Sequence, residues 1–328
     1  MTYFLLRRLA LMIFTIFFTS LIVFGLTQLL PGDIARLFLG RDASDAAIAE
    51  FNQTFRLNDH PLQQYVRWII GDVTQVEGDH SRGILRGDWG RSFSAGYPRV
   101  QPLISRALQY SMMLTGFTLL ISIPISILFG VFAGIRANSW LDNLIAIFSL
   151  SVVGLPEFVT ALVLINTFAL RLGWFDAIST PHANDGWFTI IQKLTLPALT
   201  ATFVLLGYVT RMTRAGVQEE LKKAYIRTAI LKGLPRRVVL FKHVLRNALL
   251  PSVTVIALSI GWLMGGLVVI EQVYNYPGLG KLMVDAVLSK NYPVLQACVM
   301  IVITFIVLSN FLADLLYALL NPKVRYQS

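Results

Sequence analysis

RMTRAGVQEELKKAYIRTAILKGLPRRVVLFKHVLRN, residues 211–247, lies between two long apolar runs and holds ten Lys or Arg against two acids, Glu219 and Glu220. Ten minus two is +8, most of the net +10 of the 328-residue chain. Between membrane spans a segment of this charge stays on the cytoplasmic side. It also reads as a short helix closed by glycine, Tyr225 to Gly233 with Leu234 after it, and so as a docking element for a cytoplasmic partner.

Working outward, 55% of the residues are hydrophobic, 14% are charged and the mean hydropathy is +0.64. A soluble domain carries about 25% charged residues, so the composition is that of an integral membrane protein. The pI near 9.9 follows from positive charge placed between spans, which argues for membrane orientation rather than for nucleic acid. The single cysteine, Cys298, excludes a disulfide framework or a cysteine metal site within one chain. Arg7 and Arg8 before the apolar run imitate a signal peptide, but the run is long enough to span and no small-residue cleavage site follows, so it reads as a retained first span.

A spanning helix needs roughly 20 apolar residues. Six windows approach that length, 9–30, 108–135, 143–170, 188–210, 249–270 and 294–320, and the predicted fold is an all-α polytopic membrane protein with six transmembrane helices. Both termini are then cytoplasmic, with Arg7 and Arg8 at one end and Lys323 and Arg325 at the other. The chain divides into residues 1–30 (N-terminus and first span), 31–107 (external), 108–320 (the core, with the cytoplasmic loop 211–247) and a cytoplasmic tail, 321–328. The connection 136–142 falls inside and 171–187 outside. The 77 residues of 31–107 hold nine Arg and nine acids, which the topology tolerates because the positive-inside bias fades in loops beyond about 60 residues. Within them Pro61 to Ile70 predicts an amphipathic helix, and Gly83, Gly87, Gly90 and Gly96 mark turns of a small external subdomain.

Catalytic patterns are missing: there is no HExxH, no GxSxG, no paired intramembrane aspartates and no phosphate loop, Gly280-Lys281 being the nearest approach. The chain is therefore expected to be non-enzymatic, binding no cofactor or metal. Glu157 follows Pro156 halfway along the third window, where Gly154 and Pro156 would loosen the helix. Two readings stand for Glu157: a group on a solvated translocation path, or a carboxylate near an interface satisfied by a neighbouring helix. Gly130 with Gly134 and Gly261 with Gly265 have the spacing of closely packed helices. Asp314 and Asn310 share a helix face expected to point inward. In 211–247, Leu221, Tyr225 and Ala229 recur every four residues as an apolar ridge suited to a groove in another protein.

At this loop the sequence resembles the membrane-spanning permease subunits of binding-protein-dependent ABC importers, in the dipeptide/oligopeptide/nickel branch. The resemblance is carried by Tyr225-Ile226-Arg227-Thr228-Ala229 with Lys232-Gly233-Leu234, then by His243-Val244-Leu245-Arg246-Asn247-Ala248-Leu249-Leu250-Pro251. Of the wider EAA motif Ala229 and Gly233 are retained, while Arg227 and Thr228 replace the Glu and first Ala. Further matches run the length of the chain: Leu30-Pro31-Gly32-Asp33, Gly87-Asp88-Trp89-Gly90-Arg91-Ser92-Phe93, Tyr276-Pro277-Gly278-Leu279-Gly280 and Asn321-Pro322-Lys323-Val324-Arg325.

The resemblance implies a second homologous permease, two ATPase subunits carrying ATP and Mg, an external solute-binding protein, and residence in a bacterial inner membrane. It implies a coupling helix near 219–232, with Glu219, Glu220, Leu221, Tyr225, Ile226, Arg227, Thr228, Ala229, Lys232, Gly233 and Leu234 as the ATPase contact. Pro156 and Glu157 are the pathway candidates, and Tyr276, Pro277 and Gly278 the external contact candidates. Dipeptides, longer peptides, glutathione-like peptides and nickel chelates all remain open as solutes. The alternative is a self-sufficient secondary transporter, which would need inverted repeats and matched broken helices, whereas Pro124 and Pro156 interrupt neighbouring windows.

Overall fold

The computed structural model describes residues 2–28, 34–40, 42–71, 83–182 and 184–320. Helices α1 (Thr2–Gln28), α2 (Ile34–Leu39), α3 (Asp45–Thr54) and α4 (Pro61–Ile70) precede α5 (Val100–Ile135) and α6 (Trp140–Gly154). Then come α7 (Glu157–Leu164, continued by a π-helical stretch Ile165–Arg171), α8 (Trp187–Leu221) and α9 (Ala224–Leu231). Next are α10 (Arg236–Val238, continued by a π-helical stretch Val239–Val244), α11 (Leu245–Ala248) and α12 (Leu250–Gly266). The last are α13 (Val268–Val273), α14 (Leu279–Leu288) and α15 (Tyr292–Leu320). The protein is all-α and membrane-spanning: among the described residues four helices are long and apolar enough to cross a bilayer, or up to six if each of two bent pairs is one span.

Both bends are written in proline chemistry. The third window is not one straight helix, because α6 and the helix after it meet at 104°. Pro156 disfavours the helical region for the residue before it, and Leu155 is accordingly extended at φ −85°, ψ 132°. The second bend, 46° between Arg236–Ala248 and Leu250–Gly266, falls at Leu249, with Pro251 in the first turn of α12, where its missing N–H costs nothing.

The chain forms two compact units. The first comprises Met1–Met12, Ser111–Tyr276 and Phe305–Ser328. Its centre is α8, which packs against α6, α7, α11, α12 and α13. Of the most apolar part of α8, 61% is buried, against 6% for α1, so α1 presents its side chains outward. Glycine permits the close approaches. A Cβ on Gly130 would sit 2.4 Å from Thr213 Cβ and one on Gly134 2.7 Å from Val217 Cβ, while one on Gly261 would sit 3.0 Å from Ile306 Cα. Gly130, Gly134 and Gly261 thus lie on packing surfaces within this unit.

A Cβ on Gly216 would meet the carbonyl oxygen of Ala248 at 2.2 Å, a backbone atom that cannot swing aside. Gly216→Ala should therefore push α8 from α11 and cost about 2 kcal/mol. Gly116→Ala, with nothing within 4 Å of the added carbon, should leave the melting temperature unchanged or raised. Equal melting temperatures for the two purified variants would refute the contact.

Asp314 pairs with Arg8 at 2.6 Å, and Asn310 is exposed rather than turned inward. The partner of Asp314 is thus remote in sequence, which the i, i+4 spacing does not reveal.

The second unit comprises Ile13–Tyr110 and Pro277–Thr304. Its core is aromatic, with Phe51 and Phe93 almost fully buried, their rings 5.1 Å apart, and Phe38, Phe55, Tyr97 and Tyr292 around them. Helix α4 has the predicted bounds: the His60 ring nitrogen accepts the Leu62 N–H, Pro61 opens the first turn and Gly71 ends the helix. Asn291 ties the Ser92–Ser94 turn to this core, donating to Ser92 Oγ at 2.6 Å and accepting from the Phe93 N–H at 3.2 Å.

Candidate functional site

The segment 211–247 is almost entirely helical. Helix α8 continues to Leu221, breaks at Lys222 and Lys223, and restarts as α9, with Lys223 extended at ψ 143°. The single helix expected over 219–232 is therefore two, and Glu219, Glu220 and Leu221 end α8 instead of lying on the short helix. Helix α9 closes on Gly233, whose φ of +78° suits glycine, with Gly233 N–H donating to Ile230 O at 2.9 Å and Leu234 N–H to Ala229 O at 3.3 Å. Leu234 precedes Pro235, which caps α10.

The faces of α9 also differ from the expected ridge. Ile226 and Ala229 are buried in a cluster with Val217, Val239, Val244 and Ala248. Both point into the protein's own core and offer no surface to a partner. Burial of an isoleucine and closure of the cluster outweigh the exposure that a four-residue repeat suggested. The outward face carries Leu231 at 80% exposure and Ile230 at 56%, with Leu221, Tyr225, Arg227, Thr228, Lys232 and Leu234 also exposed. Lys222, Arg236, Arg237 and Lys242 flank it, exposed as well.

One buried carboxylate holds the joint. Glu220 accepts from Lys223 Nζ, from the Tyr225 hydroxyl and, at 3.2 Å, from Asn247 Nδ2, which also donates to the Tyr225 oxygen at 3.0 Å. It thereby links the end of α8, the start of α9 and α11. The hydrogen bond to Glu220 raises the Lys223 ammonium above its ordinary value. Burial, then the same carboxylate, raises the Tyr225 phenol. Tyr225 is thus anchored by its hydroxyl, an interaction its place in an apolar ridge did not suggest.

Two charged pairs bracket α8. Arg214 grips Asp142 through Nε to Oδ1 at 2.6 Å and Nη2 to Oδ2 at 2.7 Å, and Asn138 N–H donates to Oδ2 at 2.9 Å. Near the other end Lys193 Nζ donates to Asp185 at 2.7 Å and to Thr180 O at 2.9 Å. The His182 N–H and then Lys193 hold the Asp185 carboxyl below the usual range. No charged residue lies between 194 and 210. Residues 193 to 214 are 21 helical steps apart, about 32 Å, close to the hydrocarbon thickness of a bilayer.

Glu157 opens the first turn of α7 beside the 104° elbow and is half-buried, with Pro156 exposed as the N-terminal cap. Tyr276 is fully buried and Gly278 buried, so neither is a surface contact as the sequence suggested. The Tyr276 N–H donates to Glu271 O at 2.8 Å, folding this turn back on α13. No group of three or more His, Cys, Asp or Glu arranged to hold a metal occurs among the described residues.

Residues 126–326 match the family described as binding-protein-dependent transport system inner membrane component, and residues 1–115 match its N-terminal membrane component. A probable peptide ABC transporter permease protein, y4tP, of Sinorhizobium fredii is 33% identical over 98% of this chain and 99% of its own length. The glutathione transport system permease protein GsiC of Escherichia coli is 35% identical, with 99% of each chain covered. A crystal structure of an amino acid ABC transporter with histidines aligns with a TM-score of 0.47 and 16% identity, over 66% of this chain and 93% of that one. The chain belongs to the family of inner membrane components of binding-protein-dependent transport systems. It is a multi-pass bacterial inner-membrane protein, the non-catalytic permease subunit of an ABC importer.

Proposed function

We propose that this chain forms half of the translocation pathway of an ATP-driven importer of peptide-like solutes, and that α9 is its coupling helix. The observation that carries this reading is the two-faced geometry of α9. Its inner face is fixed by Ile226, Ala229 and the Glu220 junction, while Ile230 and Leu231 stand exposed amid basic side chains. An exposed apolar anchor with a charged rim is what a groove-binding helix presents.

The topology of this reading has six spans, cytoplasmic termini, residues 31–107 external and 211–247 cytoplasmic. Three contacts support it. Arg8 on Asp314 brings the ends of the first and last helices together. Arg214 on Asp142 puts 211–247 beside the 136–142 connection, and Lys193 on Asp185 ties the 171–187 connection to the opposite end of α8. The partners are a second homologous permease, two ATPase subunits that hold ATP and Mg, and an external solute-binding protein. The peptide-like solute follows from the peptide and glutathione relatives.

Mechanically, α9 is joined through Glu220 to the end of α8, α8 through Arg214 to Asp142 on α6, and α6 runs to the elbow at Pro156 and Glu157. A displacement of α9 by the ATPases can reach the elbow along these contacts, provided they differ between the two ATPase states. Pro156 and Glu157 are the pathway candidates at its end.

The chain's one cysteine, Cys298, is buried, so introduced cysteines label selectively. In the purified complex Leu231→Cys should cross-link to an ATPase subunit with a yield that changes on ATP binding. Leu120→Cys, 70% exposed on α5, should not. Equal yields at both positions would sink the assignment of α9.

A further inference from the structure

Helix α4 wears its amphipathic pattern the wrong way round for a surface in water. A helix on a soluble core turns its apolar stripe inward and its polar face to solvent. On α4 the polar side is the attached one. Gln64 donates to Leu57 O at 2.9 Å and to Asp59 O at 2.8 Å while accepting from Gln28 at 2.8 Å. Arg67, the one charge on the helix, pairs with Asp59 and keeps only 22% of its side chain exposed. Leu62, Val66 and Ile70 share a face by their spacing of four, and they are 68%, 48% and 42% exposed. Leu85, in the short turn Ile84–Arg86 packed against α4, is exposed as well.

The helix is fixed against the last turns of α1. The Tyr65 hydroxyl bonds with Ser20 Oγ at 2.8 Å, and the Tyr65 and Trp68 rings lie 5.4 Å and 5.7 Å from that of Phe24. Phe24 precedes Gln28, the end of α1, by four helical steps, about 6 Å. Helices at a membrane interface bury their apolar face about 5–10 Å into the boundary of headgroups and acyl chains, so α4 is held at that depth. Tyr and Trp are the side chains of that zone. At the same level α1 itself exposes Leu21 and Leu26, so the stripe continues a surface that a spanning helix presents to hydrocarbon.

The occupant follows from the chemistry of the two faces. Leu62, Val66 and Ile70 are aliphatic and carry no hydrogen-bonding side chain, which suits acyl chains. Protein interfaces favour Tyr, Trp and Arg, and on α4 those residues, Tyr65, Trp68 and Arg67, are half-buried against the chain's own segments. We infer that the Leu62, Val66 and Ile70 face of α4 lies on lipid, among the upper acyl chains of the leaflet where α1 ends, and fastens the segment that follows α1 to the bilayer surface. That this leaflet is the outer one rests on the proposed topology. The lipid contact does not depend on it.

The test places bimane on Leu62→Cys, on Val66→Cys and, as an exposed polar control on α3, on Glu50→Cys, each in the complete transporter complex in phosphatidylcholine nanodiscs. Cys298 is buried and stays unlabelled. Replacing the lipid with phosphatidylcholine brominated near the headgroup end of its acyl chains should quench the labels at 62 and 66 about twofold or more and the label at 50 hardly at all. Aqueous iodide should show the reverse order. Iodide quenching at 62 and 66 without quenching by the brominated lipid would put the stripe in water and overturn the inference. Shielding from both quenchers would mean that a protein covers the stripe, and overturns it too, as does equal quenching by lipid at all three positions. Lipid quenching at 62 and 66, with Glu50→Cys in proteoliposomes reached by an impermeant maleimide only from the ATPase side, would sink the external assignment of 31–107 and leave the lipid contact standing.

Discussion

Asp142→Ala is expected to be among the most destabilising single substitutions in this chain. Asp142 is 1% exposed and takes two charge-assisted hydrogen bonds from Arg214 and one from the Asn138 N–H. As an acid in the first turn of α6 it also faces the positive end of that helix. Truncation strands the guanidinium and the amide together. The cost should be about 3 kcal/mol, the low end of the range for breaking a buried pair, because Arg214 keeps a third of its side chain in solvent.

The penalty comes from the stranded charge more than from attraction lost. Removing both partners in Asp142→Leu/Arg214→Met should therefore recover more than half of it. Asp142→Asn, which keeps an acceptor for Arg214 and Asn138, should fall between. Unfolding of the purified chain in detergent, followed for all variants in one buffer, gives the cycle. Single variants within about 0.5 kcal/mol of wild type would show that this junction carries no structural weight.

That junction illustrates what a reader of the sequence can and cannot see. The segment 211–247 was legible in its charge, and so was the helix closed by Gly233, because one glycine in the left-handed region is a local requirement. Helix α4 was legible in its amphipathic pattern, from Pro61 to Ile70. The Gly130 and Gly134 contacts followed from spacing alone.

What escaped was set by partners remote in the chain. Nothing near Asp314 names Arg8, and nothing near Asp142 names Arg214. Lys222 and Lys223 carry no helix-breaking chemistry, so the split between α8 and α9 comes from burying Ile226 and Ala229 against Val239 and Val244. On a helix of eight residues with apolar groups on several faces, periodicity does not choose which of them turns inward. Tyr276 sits in a run of turn formers, yet it is fully buried beside α13. The elbow was legible as a weak point at Gly154 and Pro156, but its 104° angle is a tertiary result.

Glu220→Ala should separate assembly from transport. Ile226 and Ala229 still bury α9 in its core, so the chain should fold and the ATPases should still bind. Lost is the acceptor shared by Lys223, Tyr225 and Asn247, the joint through which α9 turns with α8 and α11. A charged acceptor with its hydrogen bonds contributes about 2–3 kcal/mol to holding one geometry. Even half of that, spent in letting α9 reorient, shifts the balance between its orientations about tenfold. Solute-driven uptake into proteoliposomes should fall at least about tenfold, while ATP hydrolysis without solute changes far less.

The companion variants order the causes. Glu220→Gln keeps an acceptor without the charge and should be intermediate. Tyr225→Phe should lose less, since Lys223 and Asn247 still reach the carboxylate, and Lys222→Ala, an exposed charge, should be near wild type. The raised Lys223 ammonium adds a sign. Its contribution is complete below the ordinary lysine value of about 10.4 and is lost only as pH rises past the folded value, so the joint should not titrate near neutrality. Uptake by Glu220→Ala within about twofold of wild type, in a complex of normal composition, would mean that α9 transmits its motion through the Ile226 core alone.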